Sequence, residues 1–276
     1  MVDSLLSSVW ALEPRFHDVN AMLFAKQLDA GNLTVLSAQV KERMMPYLSD
    51  GEMTVQAKSG RKSGKVAILP IFGTMTRYGG LCSHGTEQMA AWIMEMDSMP
   101  EIKGIVLEAE SPGGEVNGIE LLGDVIKNAK KPIVGYVKGV CASGCYWILS
   151  QCNEIIVESG VSSELGSLGV MAKHVDMSAK YEKDGKKITI IRSEGSEDKA
   201  LFNSLEAMTP ELLAATKADL KPIRDLFIEK VKSGRPQVKD QVFSGKMYGG
   251  NEAIALGLAD RIGYLGDAIK RVIELS

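Results

Sequence analysis

From Val66 onward the chain alternates short aliphatic runs with segments of helical periodicity, and this constrains the fold more than any other feature. Residues 66–72, 104–109, 132–137 and 154–158 read as strands. They are continuous apolar runs rather than strict alternations, the pattern of strands buried on both faces. Between them, residues 86–96, 116–129 and 143–151 read as helices, the second with Ile119, Leu121, Leu122, Val125 and Ile126 as its apolar positions. Strand, helix, strand in repetition predicts an α/β fold, a mostly parallel sheet with helical crossovers. Further on, residues 187–192 read as another strand. Thr209-Pro-Glu211 has a hydroxyl cap, a first-turn proline and an acid at the positive end of a helix dipole. That helix is expected to run towards Lys232 with a kink at Pro222. A helix over 251–256 closes on Gly257, and a last one follows Gly263.

The first 58 residues read differently, as an amphipathic helical extension with Trp10, Leu12, Phe16, Met22, Leu23 and Leu28 as apolar points. A basic, glycine-flanked linker loop is expected over 59–65, and residues 66–276 then form one domain. The chain carries 32 basic against 35 acidic residues, a net charge of −3, which argues against nucleic acid as a partner. Its longest uncharged stretch, residues 139–153, is shorter than a membrane span requires and contains Ser143, Ser150, Gln151 and Asn153. Asp3 stands where an export signal would carry a basic residue, so no export and no membrane anchor are expected. Three of the four cysteines lie in one apolar segment, as reduced, buried thiols of a cytoplasmic protein would. Cys82-Ser-His84 has no second ligand pair at a zinc-type spacing, so neither a metal nor another cofactor is expected.

Two strand-to-helix turns could carry chemistry. In Glu110-Ser-Pro-Gly-Gly-Glu115, paired glycines leave backbone N–H groups free to meet an anionic oxygen. In Gly139-Val-Cys-Ala-Ser-Gly-Cys-Tyr146, Ser143 stands at the start of a helix, where it would serve either as an ordinary cap or as a nucleophile. Together the turns could supply a hydroxyl and two donors, from Gly144 and from Gly113 or Gly114, for a tetrahedral oxyanion. The only histidines are His17, His84 and His174, and Cys141-Ala-Ser-Gly-Cys145 lacks the flanking glycines of a Gly-x-Ser-x-Gly elbow. A lysine whose ammonium is disfavoured by apolar surroundings is the other available base.

Ser111-Pro-Gly-Gly114, Ala142-Ser-Gly-Cys-Tyr146, Gly166-Ser-Leu-Gly-Val170, Phe243-Ser-Gly-Lys246 and Ala253-Ile-Ala-Leu-Gly-Leu-Ala-Asp260, in that order, resemble the landmarks of the signal peptide peptidase A family of serine peptidases. The resemblance covers roughly residues 66 to 265. It implies a Clp-protease/crotonase-like spiral of ββα units and a Ser–Lys dyad. It makes Ser143 the nucleophile, Gly114 and Gly144 the oxyanion donors, Ser167 a hydroxyl that orients the lysine, and Lys199 the base. Lys173, Lys186 and Lys187 are weaker alternatives within or beside expected strands. One departure stands out: the family lysine usually follows its glycine by three residues, whereas Gly195 to Lys199 is a step of four. Glu197 or Asp198, if close, would raise the lysine pKa and oppose its role. His174 reads as structural.

The opening Val9-Trp-Ala-Leu-Glu-Pro14 resembles phage and prophage members, which are head-maturation proteases. That resemblance implies capsid or scaffold proteins as substrates, a homo-oligomer, and a place in the host cytoplasm or the immature phage head, with any scaffold segment either on a separate chain or outside the given sequence. The alternatives are a general cytoplasmic signal-peptide-peptidase-like protease, a crotonase-type acyl-CoA enzyme enlisting Glu115 and Glu120, and an inactive assembly subunit.

Overall fold

The computed structural model describes residues 9–12, 41–49, 53–57, 60–80 and 83–276. In chain order the elements are β1 (Val9–Leu12), β2 (Tyr47–Leu48), β3 (Met53–Ala57), β4 (Gly60–Phe72), α1 (Thr86–Ser98), β5 (Ile102–Ser111), β6 (Gly113–Glu115), α2 (Ile119–Lys127), β7 (Ile133–Ala142) and α3 (Gly144–Leu149). Then come β8 (Glu154–Val157), β9 (Glu164–Gly166), β10 (Met171–Ala172), α4 (Ser178–Lys183), α5 (Pro210–Gly234), β11 (Met247–Gly249), α6 (Gly250–Ala255), β12 (Arg261–Ile262) and α7 (Leu265–Leu275).

The expected α/β architecture is present. A nine-stranded sheet has the path β11-β9-β7-β5-β4-β2, with β3 also on β4, β8 on β7 and β12 on β8. Its central pairs, β4 with β5 and β5 with β7, are parallel. Period-two alternation within the apolar runs sends residues to two cores. Ala67, Leu69, Ile71, Ile105, Leu107, Ala109 and Val137 face one core, with α1, α2, α3 and α5. Val66, Ile68, Val106, Val134 and Tyr136 face the other, which α7 covers with Ala268, Ile269, Val272 and Ile273. Both faces are dry, which is why the strand sequences show runs and not alternation.

Strand β7 places the functional turn. Its first half pairs with β8 through residues 134–137, and its end diverges to pair with β9 through residues 140–142. The next residue is Ser143. All six residues of α3 are buried, and Trp147 stacks on Phe227 of α5 with ring centroids 4.7 Å apart at 16°. Tyr146 donates its hydroxyl to the Leu258 carbonyl at 3.0 Å. Nearby, buried Arg235 grips Asp260 with two hydrogen bonds of 2.8 and 2.9 Å, while Asp260 accepts the Ile155 N–H at 2.7 Å.

Three expectations are corrected. Much of the expected helical extension, including the apolar points from Phe16 to Leu28, lies outside the described residues. Its described parts are helical only at 41–43, with strands at 9–12, 47–48 and 53–57. Met53–Ala57 has the period-two pattern of a strand and pairs along residues 60–64 of β4, so most of the expected linker is strand. The Ile188-Thr-Ile-Ile191 run has strand composition but pairs with no strand among the described residues, and it lies in an irregular, largely exposed segment. α5 is one helix with Pro222 inside it.

Because Phe227 is 1% exposed and joins α5 to α3, Phe227→Ala is expected to cost about 3–5 kcal/mol. The midpoint of urea unfolding measures it.

Candidate active site

Only three non-glycine residues among those described have positive φ: Ser143 (53°), Ser167 (54°) and Ala200 (57°). Two are the serines singled out from sequence, and the third follows Lys199. Such conformations cost about 1–3 kcal/mol each and persist where surroundings over-determine them. At Ser143 the surroundings are explicit. Its N–H donates to Gly166 O at 2.8 Å, and its carbonyl accepts the Trp147 N–H at 2.9 Å, opening α3.

Ser143 occupies the N-cap position of α3, yet its side chain makes no capping bond. The hydroxyl instead points to Gly169 O at 3.4 Å, a long contact that leaves it uncommitted. The capping alternative therefore fails at this residue. Ser143 is 1% exposed, and Gly144 beside it carries a first-turn N–H that needs a partner from outside the helix. The Cys141 thiol, two residues before Ser143, offers no rival nucleophile. Burial and the adjacent Cys145 hold the Cys141 thiol well above its ordinary pKa.

The paired-glycine turn forms a short ladder with the segment after β4. Met75 N–H donates to Gly113 O and Glu115 N–H to Met75 O, both at 2.9 Å. A Cβ on Gly114 would lie 1.7 Å from the Met75 carbonyl oxygen, so no side chain fits there. Ser111 sets the turn, donating its hydroxyl to Gly73 O at 2.6 Å and accepting the Gly113 N–H at 3.1 Å. Sequence reasoning passed over Ser111. Its signal is a hydroxyl two residues before an N–H that must be turned, a local side-chain-to-backbone motif. α3 packs against β6, which brings the two turns together.

Ser167 and the Phe243-Ser-Gly-Lys246 motif belong to one construction. Ser167 N–H donates to Lys246 O at 3.0 Å, and Met247 pairs with Gly166 across β9 and β11. Gly166 has φ 141° and no room for a Cβ, which would meet Lys246 O at 2.3 Å.

Lys199 makes no hydrogen bond to this cluster among the described residues. It lies in the exposed segment between α4 and α5, and its ammonium makes no hydrogen bond or ion pair among the described residues. The segment has its own organiser. Arg192 donates to the carbonyls of Lys199 (2.6 Å) and Ala200 (3.0 Å) and forks onto both oxygens of Glu206 (3.1 and 2.6 Å). Asn203 also donates to Glu206, at 2.7 Å. Glu197 accepts the Gly195 N–H at 2.9 Å, and backbone N–H bonds hold its carboxyl below the usual range. The extra residue between Gly195 and Lys199 is thus taken up in a self-bonded turn.

His174 stands edge-on to Phe202 at 5.5 Å. His84 bonds Lys41 O at 3.0 Å and stands edge-on to Trp92. Cys82 and His17 lie outside the described residues. Among the described residues no group of three metal-ligating side chains occurs, and no helix is long and apolar enough to cross a membrane.

A model of peptidase family S49 matches residues 126–276, a range that contains Ser143, Ser167 and Lys199. The chain is 29% identical over 276 residues to the capsid assembly protease C of Escherichia phage lambda, covering 94% of this chain and 61% of that protein. It is 26% identical over 274 residues to the head-tail preconnector protein GP5 of Enterobacteria phage P21, covering 94% and 54%. It is 28% identical over 200 residues to Protease 4 of Salmonella typhi, covering 70% and 31%. The chain spans little more than half the length of the two phage relatives.

Glu206 is held below the usual carboxylate range by Arg192 first and Asn203 second. Its contribution to the segment is therefore full above the ordinary carboxylate pKa and disappears as pH falls through the lowered value. Arg192→Gln should reproduce that acid loosening at neutral pH. Amides of residues 196–206 are expected to lose hydrogen-exchange protection, while the midpoint of global unfolding stays unchanged.

Proposed function

This chain belongs to peptidase family S49, and from that premise we propose that it is a serine endopeptidase acting through Ser143 and Lys199. The observation that carries this reading is the buried, strained, uncapped Ser143 between two glycine turns. Neutral Lys199 accepts the Ser143 hydroxyl proton as Oγ attacks the peptide carbonyl. The N–H groups of Gly114 and Gly144 hold the oxyanion, and Ser167 orients the lysine. Collapse of the tetrahedral intermediate breaks the C–N bond, and the leaving amine takes the proton from the lysine. Water, deprotonated by the same lysine, attacks the acyl-enzyme, and the ester C–O bond breaks to release acid and regenerate the hydroxyl. The reading requires the segment between α4 and α5 to bring the Lys199 Nζ to within about 3 Å of the Ser143 Oγ.

The substrates are capsid or scaffold proteins during head maturation, and the working form is a homo-oligomer. The names of the two phage relatives support the first part. The inactive assembly subunit is favoured by one observation, the Lys199 ammonium without a partner among the described residues. The acyl-CoA alternative is weakened because Glu120 ion-pairs with Lys230 at 3.5 Å.

Ser143→Ala and Lys199→Ala should each lower cleavage of a co-expressed capsid or scaffold protein by about a thousandfold or more, with far-UV circular dichroism unchanged. Full cleavage by either variant rejects the dyad, and an inert wild type favours the assembly subunit. In a second measurement, a fluorophosphonate probe should label wild-type protein at Ser143, as mapped by peptide mass spectrometry.

A further inference from the structure

Strand β1 has an unusual location. It is the middle member of a three-stranded sheet of order β10-β1-β6, antiparallel to both neighbours. Trp10, Ala11 and Leu12 lie opposite Glu115, Gly114 and Gly113, while Val9 and Trp10 lie opposite Ala172 and Met171. Its flanking strands are separate pieces of the functional cluster. β6 carries Gly114, and β10 starts two residues beyond Gly169, whose carbonyl meets the Ser143 hydroxyl. Without β1, each would present an unpaired edge towards the other, a slot that an extended polypeptide fills by main-chain bonding.

The ladder also says which groups β1 occupies. Gly113 gives its carbonyl, and Glu115 its N–H, to Met75. Successive residues of a strand turn their backbone groups to opposite sides, so Gly114 directs its N–H and C=O towards Ala11. The N–H assigned above to the oxyanion is the one that faces the chain's own strand.

We propose that residues 9–12 are a resident strand filling the slot between β6 and β10, and that an extended polypeptide must displace them to reach Ser143. The proposal rests on the reading of Ser143 and Gly114 as catalytic. The slot accepts main chain antiparallel to both edges, so its occupants share an extended backbone and not a particular sequence. Occupation in cis lowers the apparent affinity for an incoming strand by the fraction of molecules in which the slot is open.

The test measures binding and needs no catalysis. Val9 and Ala172 form a non-hydrogen-bonded antiparallel pair, with a Cα spacing of about 4.5 Å that a disulfide can bridge. In full-length Ser143→Ala protein carrying Val9→Cys and Ala172→Cys, the probe is fluorescently labelled reduced, alkylated casein, read by anisotropy. Reduced protein should bind it at least about tenfold more tightly than the same protein after oxidation, and reductant should restore binding. Equal binding in both states, or none in either, overturns the proposal. Hydrogen exchange on Ser143→Ala protein without added cysteines gives a second reading. Saturating casein should speed exchange at the amides of residues 10–12, and unchanged exchange with casein bound overturns the resident strand. A binding difference without cleavage by the wild type would reject the peptidase reading and leave the strand exchange standing.

Discussion

The backbone of Ser143 is held where a serine does not rest unaided, and much of the surrounding structure can be understood as what holds it. The parallel sheet delivers β7 to the turn from one side. The buried helix α3 takes the carbonyl from the other, and Gly166 takes the N–H. Ser167, strained in the same way, is bonded through Lys246 on the next segment. The two strained serines therefore share one support, because β9 and its glycine lie between them. A strained residue keeps its geometry only while its neighbours cannot relax, and full burial of α3 supplies that rigidity.

The sheet and its larger crossovers were legible because each long strand must satisfy two dry faces and so carries an apolar run. The two strand-to-helix turns were legible because paired glycines and a serine at a helix start mark such turns. The short strands were not. β6, β9, β10 and β11 have two or three residues each, and their pairing depends on partners far along the chain. The Ile188 to Ile191 run shows the converse error, β-branched composition without a neighbour to complete a ladder. Val9–Leu12 was read as helical because apolar spacing around it suited a helix, whereas strand edges on both sides decide its conformation.

Lys199 marks the limit of motif reasoning. The spacing from Gly195 drew attention to this segment, where the structure has a turn in which Glu197 accepts the Gly195 N–H. What the spacing could not convey is that an arginine seven residues upstream, together with Glu206 and Asn203, fixes the carbonyls around the lysine. The backbone around this lysine is held by guanidinium geometry at a distance as well as by the bonds of its own turn.

The Tyr146 hydroxyl bond to Leu258 has a consequence for the order of assembly. The helix that carries the strained serine turn is fastened to a carbonyl synthesised 112 residues later. Arg235 and Asp260 tie the same late segment to β8, and α7 closes the second face of the sheet only afterwards. Translation proceeds from the N-terminus at about 5–20 residues per second. A nascent chain thus presents β7 and α3 for seconds before their anchor exists. Chains that end before Leu258 lack the fastening that holds α3 behind Ser143.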